Sequence, residues 1–463
     1  MKSGFVWLML AVASVQASAQ EQLRPTVARS SPPLTIEQAI QLARDNYPAL
    51  QEQRARAAAA AEGPAVAHTA YLPRVDAVWQ ENLATHNNVF GLLLPQSIIP
   101  SVSGPVLPRT SDVVWGSAAG LLLSWDVVDF GVRRANIDVA KAQQTAATAN
   151  LALSELDATA AAADAFLTVL AADAGQRAAQ ANVDRLQVLA DAVRTLVVNQ
   201  LRPGADQSRA EAELAVARNQ LIQSQQAVDL ARITLAASVG RPGDPIEVVA
   251  GRLADAVPSA TATGTPEAHP AARAAAASIG VVQARERALG RAGLPHISFQ
   301  SAASARGSGA TVAGIEDTNS QWLRVPNWAV GLSVSLPLME GVTAQPRRRV
   351  EAQNELAARA AYDQTILTVT TAQARAATLY RAATAIAQNM STVLSAARET
   401  QERARARYNS GLAPVTDVAD AERLLAQAES DAAVAQLGVW RAVLAEAQAS
   451  GDLTPFLNLA RRP

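Results

Sequence analysis

Two hydrophobic periods alternate along the chain. Residues 327–341 read NWAVGLSVSLPLMEG, in which Trp328, Val330, Leu332, Val334 and Leu336 alternate with Ala329, Gly331, Ser333 and Ser335. A period of two places the large apolar side chains on one face of a strand and the small or polar ones on the other. Three more stretches share it. Residues 73–86 carry Val75, Ala77 and Trp79; residues 112–126 carry Trp115, Ala119, Leu121, Leu123 and Trp125; residues 295–306 carry Ile297 and Phe299. With the fourth at 326–338, the pattern predicts four strands in two pairs.

Between the pairs the period changes to that of a helix. Residues 131–200 and 341–410 are almost free of interruption, and each is followed by a tight turn and a returning helix, 205–239 and 416–450. About 70 helical residues at ~1.5 Å each make a rod of roughly 100 Å, far beyond the average helix of about 11–12 residues. In the first returning helix Leu214, Leu221, Val228 and Leu235 fall seven apart, with Ala210, Ala217, Ser224 and Ala231 between them. This is a coiled-coil seam with small residues in alternate layers. The stretches from 131 to 203 and from 341 to 414 differ in length by one residue. The chain is therefore an internal duplication of the unit helix–strand–strand–long helix–helix, the first copy over 20–240 and the second over 267–450. Residues 241–266, rich in Pro, Gly and Thr, read as a linker, and 451–463 as a C-terminal tail.

The apolar strand faces have no second sheet to pack on, because everything around them reads as helix with narrow seams of its own. Lipid is the solvent that suits them. Four strands cannot close a barrel, and the smallest membrane barrels have about eight, so several copies must share one. Trp79, Trp115, Trp125, Trp322 and Trp328 lie in or beside the strands, where an interfacial aromatic girdle belongs. On this reading Trp79, Trp115, Leu121, Leu123, Trp125, Ile297, Phe299, Trp328, Val330, Leu332, Val334 and Leu336 face lipid. A secreted coiled-coil scaffold without a pore is the alternative of a different class; it predicts a water-soluble monomer or dimer.

Composition narrows the picture. Residues 1–19 carry Lys2, an apolar run and the small-residue end Ala17-Ser18-Ala19, the pattern of a cleavable secretory signal. The chain has no Cys, which excludes disulfides, thiolate metal sites and a lipid-bearing N-terminal cysteine. A formal net charge of -1 argues against a nucleic-acid partner. His68, His86, His269 and His296 are dispersed without metal-ligand spacing, and residues 307–314 (GSGATVAG) lack the phosphate-loop spacing. No enzyme activity and no cofactor are expected. Arg347, Arg348 and Arg349 read as a solvated surface at a helix start, with lipid head groups as a further possible contact. The apolar patch 90–99 lies in a loop of undecided role.

At this point four segments carry a resemblance: LTIEQAIQLARDNYPALQ (34–51), YLPRVDAVW (71–79), LLLSWDVVDFG (121–131) and YNSGLAPVTDVADAERLL (408–425). In these motifs and in repeat order the chain resembles the TolC-like outer membrane efflux protein family over nearly all of its length. The resemblance implies a homotrimer with a 12-stranded barrel in the outer membrane above a periplasmic α-helical barrel. It further implies the exit channel of a tripartite efflux pump for small toxic compounds, with a periplasmic adaptor and an inner-membrane transporter as partners. The channel of a type I protein secretion system remains an alternative. Carried over by position, Asp417, Asp420 and Tyr408 fall at the family's periplasmic constriction, where threefold symmetry would gather a ring of carboxylates that attracts cations. Ala413 stands where the arginine of the family's closing network is expected, so closure here calls for another contact. Leu201, Pro203, Gly204, Asn409, Ser410, Gly411, Leu412 and Pro414 match the helix tips that meet the adaptor.

Overall fold

The computed structural model describes residues 33–85, 113–254, 264–308 and 322–461; the expected signal segment and the apolar patch 90–99 lie outside them. Helices α1 (Ile36–Asn46) and α2 (Pro48–His68) lead into strand β1 (Arg74–Thr85). Strand β2 (Val113–Val128) feeds α3 (Val132–Val198), which turns back as α4 (Gly204–Ser238). The order then recurs with α5 (Pro270–Leu289), β3 (His296–Ser308), β4 (Val325–Ser335), α6 (Leu338–Asn409) and α7 (Val415–Ser450). The expected C-terminal tail contains a short helix, α8 (Thr454–Arg461).

Local chemistry explains the element ends. Thr35 and Gln38 form a capping box at α1, and Pro48 opens α2 where its missing N–H costs nothing. Helix α6 starts at Leu338, three residues before the glycine that marks it in the sequence. Gly341 sits in its first turn for a different reason: a Cβ added at Gly293 would lie 2.7 Å from the Gly341 Cα. Two glycines facing each other let α6 pass the end of α5 at this distance.

The four strands form one antiparallel sheet in the order β1-β2-β3-β4. Its register gathers the odd positions of β1, β2 and β3 and the even positions of β4 on one face. Successive rows there read Trp125–Phe299–Leu332, Val75–Leu123–Ser301–Val330, Ala77–Leu121–Ala303–Trp328 and Trp79–Ala119–Ala305–Pro326. Trp79, Leu121, Trp328, Val330, Leu332 and Val334 are exposed on it; Leu123, Ile297 and Phe299 are half-buried. The opposite face carries Asp76, Gln80, Ser124, Gln300 and Ser304, with Ser298 and Ser333 hydroxyls 2.7 Å apart. The greasy face is thus the bare one.

The densest packing lies midway along the rods. Leu156, Phe166, Leu167, Val169 and Leu170 of α3 meet Ile36 and Ile40 of α1, Leu235 of α4, and Trp440, Val443 and Leu444 of α7. Phe456 of α8 closes the cluster, edge-on to Trp440 at 6.2 Å between ring centroids. The linker is strapped across it: Leu34 pairs with Val248, and Ile246 and Leu253 are buried. By length and composition α3 includes one window apolar enough to cross a membrane, but half of that window is buried in the chain. Core packing accounts for it.

An elbow joins sheet to rod. Phe130 and Gly131 both have positive φ (51° and 93°), so the chain reverses abruptly between β2 and α3. Asp129 accepts from the backbone N–H groups of Gly131 and Arg133 and from the Arg133 guanidinium. Arg133 in turn donates to the carbonyls of Ala70 and Val127 and lies 4.4 Å over the Tyr71 ring. Trp125 Nε1 donates to the Tyr71 carbonyl at 2.9 Å. Burial pushes the Asp129 carboxyl up, but the hydrogen bonds and the positive charge of Arg133 outweigh it and hold the group below its usual value. The sign follows: a depressed folded value contributes stability that is present above the ordinary carboxylate range and is lost as pH falls through the folded value. Asp129→Ala is expected to cost about 1–3 kcal/mol, the range for a helix cap plus a charged hydrogen bond. In thermal melts followed by helical ellipticity, the gap between variant and wild type should shrink as the pH drops below about 4.

Candidate functional site

The two tips of the long hairpins are built alike. Each first helix ends in a left-handed residue, Gln200 (φ 59°) or Gly411 (φ 74°). The next residue's N–H then reaches back, Leu201 to the Leu196 carbonyl and Leu412 to the Arg407 carbonyl. This is the Schellman closure. Pro203 and Pro414, both extended, cap the returning helices. Gln200 adopts the left-handed backbone without the relief a glycine has, which holds the first tip under strain. All eight tip residues named from the sequence are exposed: Leu201, Pro203, Gly204, Asn409, Ser410, Gly411, Leu412 and Pro414. Leu201 and Leu412 stand out as large apolar side chains about 70% exposed (68% and 73%).

The tips also touch. Tyr408, Val415 and Val418 of the second hairpin pack into a cluster with Leu186, Ala190 and Val193 of α3 and Ala210, Leu214 and Ala217 of α4. Arg202 at the first tip donates from Nη2 to the Tyr408 carbonyl at 3.2 Å, and its guanidinium lies 4.8 Å from the centre of the Tyr408 ring. Burial pushes the Tyr408 phenol up, partly countered by Arg202 and reinforced by Asp206. Counting from the two left-handed residues, Arg202 occupies in the first tip the place Ala413 holds in the second. The first tip thus carries an arginine at the position where the second carries alanine. Tyr408 is accordingly buried in the joint between hairpins, whereas Asp417 and Asp420 lie on the exposed face of α7.

That exposed face is not purely acidic. Arg423 donates to Asp420 at 2.8 Å and to Glu213 of α4 at 3.3 Å. Asp417 has a weaker neighbour, the Thr416 hydroxyl at 3.4 Å. Opposite them, the buried face of α7 carries Glu422, whose carboxylate takes Arg185 of α3 at 3.0 Å and the Gln401 amide of α6 at 2.6 Å. Arg185 also pairs with Glu429 at 3.0 Å. Three long helices are thus braced by one ionic cluster. Arg202, Arg423, Arg185 and Glu422 were not singled out from sequence. The spacing of the repeats could have found Arg202; the others face across helices with no local signature. Among the described residues no group of three or more His, Cys, Asp or Glu side chains is placed to hold a metal ion.

The family profile described as outer membrane efflux protein matches residues 39–241 and 266–452. None of the curated protein sequences matches the chain. Solved structures do. The outer membrane protein VceC of Vibrio cholerae is 19% identical, with TM-score 0.72 over 90% of this chain and 96% of its own. The open state of the MtrE outer membrane channel of Neisseria gonorrhoeae is 20% identical, with TM-score 0.71 over 90% of this chain and 89% of its own. The CmeC outer membrane channel of Campylobacter jejuni is 13% identical, with TM-score 0.72 over 90% and 85%.

Removing one partner of a buried ion pair leaves a charge uncompensated, whereas replacing both with apolar residues does not. Arg185→Ala should therefore cost about 3–5 kcal/mol, and Arg185→Met with Glu422→Met and Glu429→Gln clearly less. Thermal melts of the single and triple variants measure the difference.

Proposed function

The chain belongs to the outer membrane efflux protein family, channels rather than enzymes, and on that footing we propose that it is the outer-membrane exit duct of a tripartite efflux pump, working as a homotrimer. The observation that carries the reading is the four-stranded sheet: β1 and β4 each have one pairing edge open among the described residues, and the apolar face is bare. Lipid tolerates no such edge, so neighbouring copies pair with both. Two copies would supply eight strands, enough only for an interior filled by side chains. Three supply 12 and leave a lumen. On that face Trp125 and Trp79 lie three rows apart, six residues or about 20 Å along β2, with Trp328 one row inside Trp79. Beyond Trp79 the row of Glu81 and Ser117 is polar, and the exposed Leu83 and Trp115 follow it on the same face.

The rods α3 and α6 carry the duct into the periplasm, and their tips meet the adaptor, which links the duct to an inner-membrane transporter. The exposed Leu201 and Leu412 are the apolar anchors for that contact. At the constriction Asp417 and Asp420 from three chains face the axis. Arg423 offsets part of that charge, so Asp417 sets the cation preference more than Asp420. Closure rests on the joint between hairpins, with Arg202 on Tyr408 in place of the arginine that Ala413 replaces. The cargo is small toxic compounds.

Single-channel recording in planar bilayers tests the duct. Asp417→Ala with Asp420→Ala should lower cation over anion selectivity, and Arg423→Ala alone should raise it. Arg202→Ala should raise the open conductance or its occupancy, while Arg202→Lys, which keeps the charge but not the planar group over the ring, restores it only partly. A mature protein that stays monomeric and water-soluble without detergent, or a double aspartate variant with unchanged selectivity, would count against these assignments. Deleting residues 411–415 should abolish adaptor cross-linking.

A further inference from the structure

Toward the tips the described helices stand in a row: α4 packs on α3, α3 on α7 and α7 on α6. Toward the sheet the row is α2, α3, α5 and α6. Helix α6 is thus at one end along its whole length, and α2 and α4 share the other. The sheet ends in the same sense, with β1, which follows α2, at one edge and β4, which leads into α6, at the other. A helix at the end of a row needs one apolar face, yet α4 and α6 each have two. The seam of α4 toward α3 is Ala210, Leu214, Ala217, Val228, Ala231 and Leu235, all buried. On the opposite side Val216, Asn219, Gln223, Gln226, Leu230 and Ile233 repeat at spacings of three and four, and all six are exposed. On α6 the same spacings run through Leu379, Ala382, Ile386, Asn389, Val393 and Ala396, exposed apart from the half-buried Val393. This stripe lies roughly 100° around the helix from the α6 seam that holds Ala376, Ala397 and Gln401.

Neither stripe holds a charged residue. A helix face left to water carries charge, whereas an apolar and amide stripe at coiled-coil spacing is one that another helix covers. The two stripes also match in height. Arg194–Glu211 and Arg232–Asp173 set α4 against α3, Arg185 with Glu422 and Glu429 sets α3 against α7, and Gln401 on Glu422 sets α7 against α6. Counting through these contacts brings Ile386 level with Leu230 and Ile233 to within about a turn, and puts Gln226 nearest Asn389 and Val393. Both stripes are apolar toward the sheet and carry amides nearer the tips. Copies arranged about an axis along the rods stand at equal height, so levels counted within one chain hold between neighbours.

We propose that the two stripes are halves of one seam: α4 of one copy packs antiparallel on α6 of the next, with Leu230 and Ile233 against Leu379 and Ile386. This rests on the homotrimer described above and names where its rods are joined. The contact is heterologous, so it closes only when the free α6 of the last copy reaches the free α4 of the first. A second copy is the occupant because the stripes agree in height and in their order of apolar and amide positions, and because they continue the open sheet edges β1 and β4. Lipid is out of reach, since Ile386 lies about 48 residues, or about 70 Å, along α6 from its start at Leu338. Within the seam the apolar positions supply burial. Gln223, Gln226 and Asn389 fix its register, as polar residues do at the core positions of coiled coils.

The chain has no Cys, so introduced cysteines report without background. Full-length chains with Leu230→Cys and one affinity tag are co-produced with chains carrying Ile386→Cys and a second tag, and the membranes are mildly oxidised. Ile233→Cys, Ala382→Cys and Asn389→Cys cover the neighbouring levels. A disulfide-linked product bearing both tags is expected. It should exceed by on the order of tenfold the product formed when Arg405→Cys, exposed but nearer the tip, replaces Ile386→Cys, because bridging needs Cα atoms within about 7 Å. Leu230→Asp should lower severalfold the share of trimer that survives mild heating in detergent, and Ile386→Arg on the same chain should restore much of it. A local effect of either change predicts no such rescue. Product bearing one tag only, from Leu230→Cys joined to itself, overturns the seam, as does a product formed solely with another envelope protein. No product at any of these levels, with trimer and conductance intact, overturns the seam and leaves the duct standing. Absence of trimer and of conductance in the unsubstituted chain overturns both.

Discussion

An antiparallel sheet with two open edges and a bare apolar face is not a finished structure. Backbone N–H and C=O groups along β1 and β4 lose several kcal/mol each if left unpaired in hydrocarbon, and Trp79, Trp328, Val330, Leu332 and Val334 are exposed among the described residues. In the proposed trimer both deficits vanish together, as copies join edge to edge in lipid. Association and membrane insertion are then one event, and the rods, which have a core of their own around Phe166 and Trp440, can form ahead of it. On that proposal the chain is divided between a part that folds on itself and a part that folds on its neighbours.

The junction between these parts needs accurate construction, since a small error in angle at the sheet grows along a rod of 67 or 72 residues. At β2–α3 the aim is set by polar chemistry, with Asp129, Arg133 and Tyr71 satisfying one another and the surrounding carbonyls. At β4–α6 it is set by absence of bulk, with Gly293 and Gly341 in contact. The two repeats share an outline but solve the same joint differently. The YLPRVDAVW and LLLSWDVVDFG segments, which stand apart in sequence, meet there through Trp125 on the Tyr71 carbonyl.

Much of this was legible in the residues, and the limits have physical causes. Strand faces were readable because a sheet with one apolar face imposes a strict period of two, as Trp328 to Leu336 shows. Rod lengths were readable because a helix of that size tolerates little Pro or Gly. Gly341 misled as a helix start, since a glycine required for close approach looks the same as one required for a turn. Helix α8 passed for a tail because eight residues give too little periodicity, and its anchor Phe456 depends on Trp440. Motifs name the tip residues and Asp417 and Asp420, and the structure finds them exposed. Tyr408 was named, but its burial in the joint between hairpins was not foreseen, because its partners Val193 and Leu214 lie about 200 residues away. The bridge from Arg423 to Glu213 and the Arg185–Glu422 brace escaped for the same reason: a charge on a long helix reads as solvated until the helix beside it is known.

The duplication itself bears on how the two hairpins are coupled. Equivalent positions of the tips, 202 and 413, carry arginine and alanine, and the arginine is spent on the tyrosine of the other hairpin. A perfect repeat would put an arginine at both places, and the second would project from Ala413, which is buried here at 5% exposure. An arginine at 413 would have to lead its guanidinium out past the exposed Leu412 and Pro414; with alanine there, the joint takes its cation from Arg202. The docking as built thus uses the asymmetry between the repeats. The first hairpin supplies the donor, the second supplies the ring and carbonyl, and the brace at Arg185 holds the helices in the register that lets them meet.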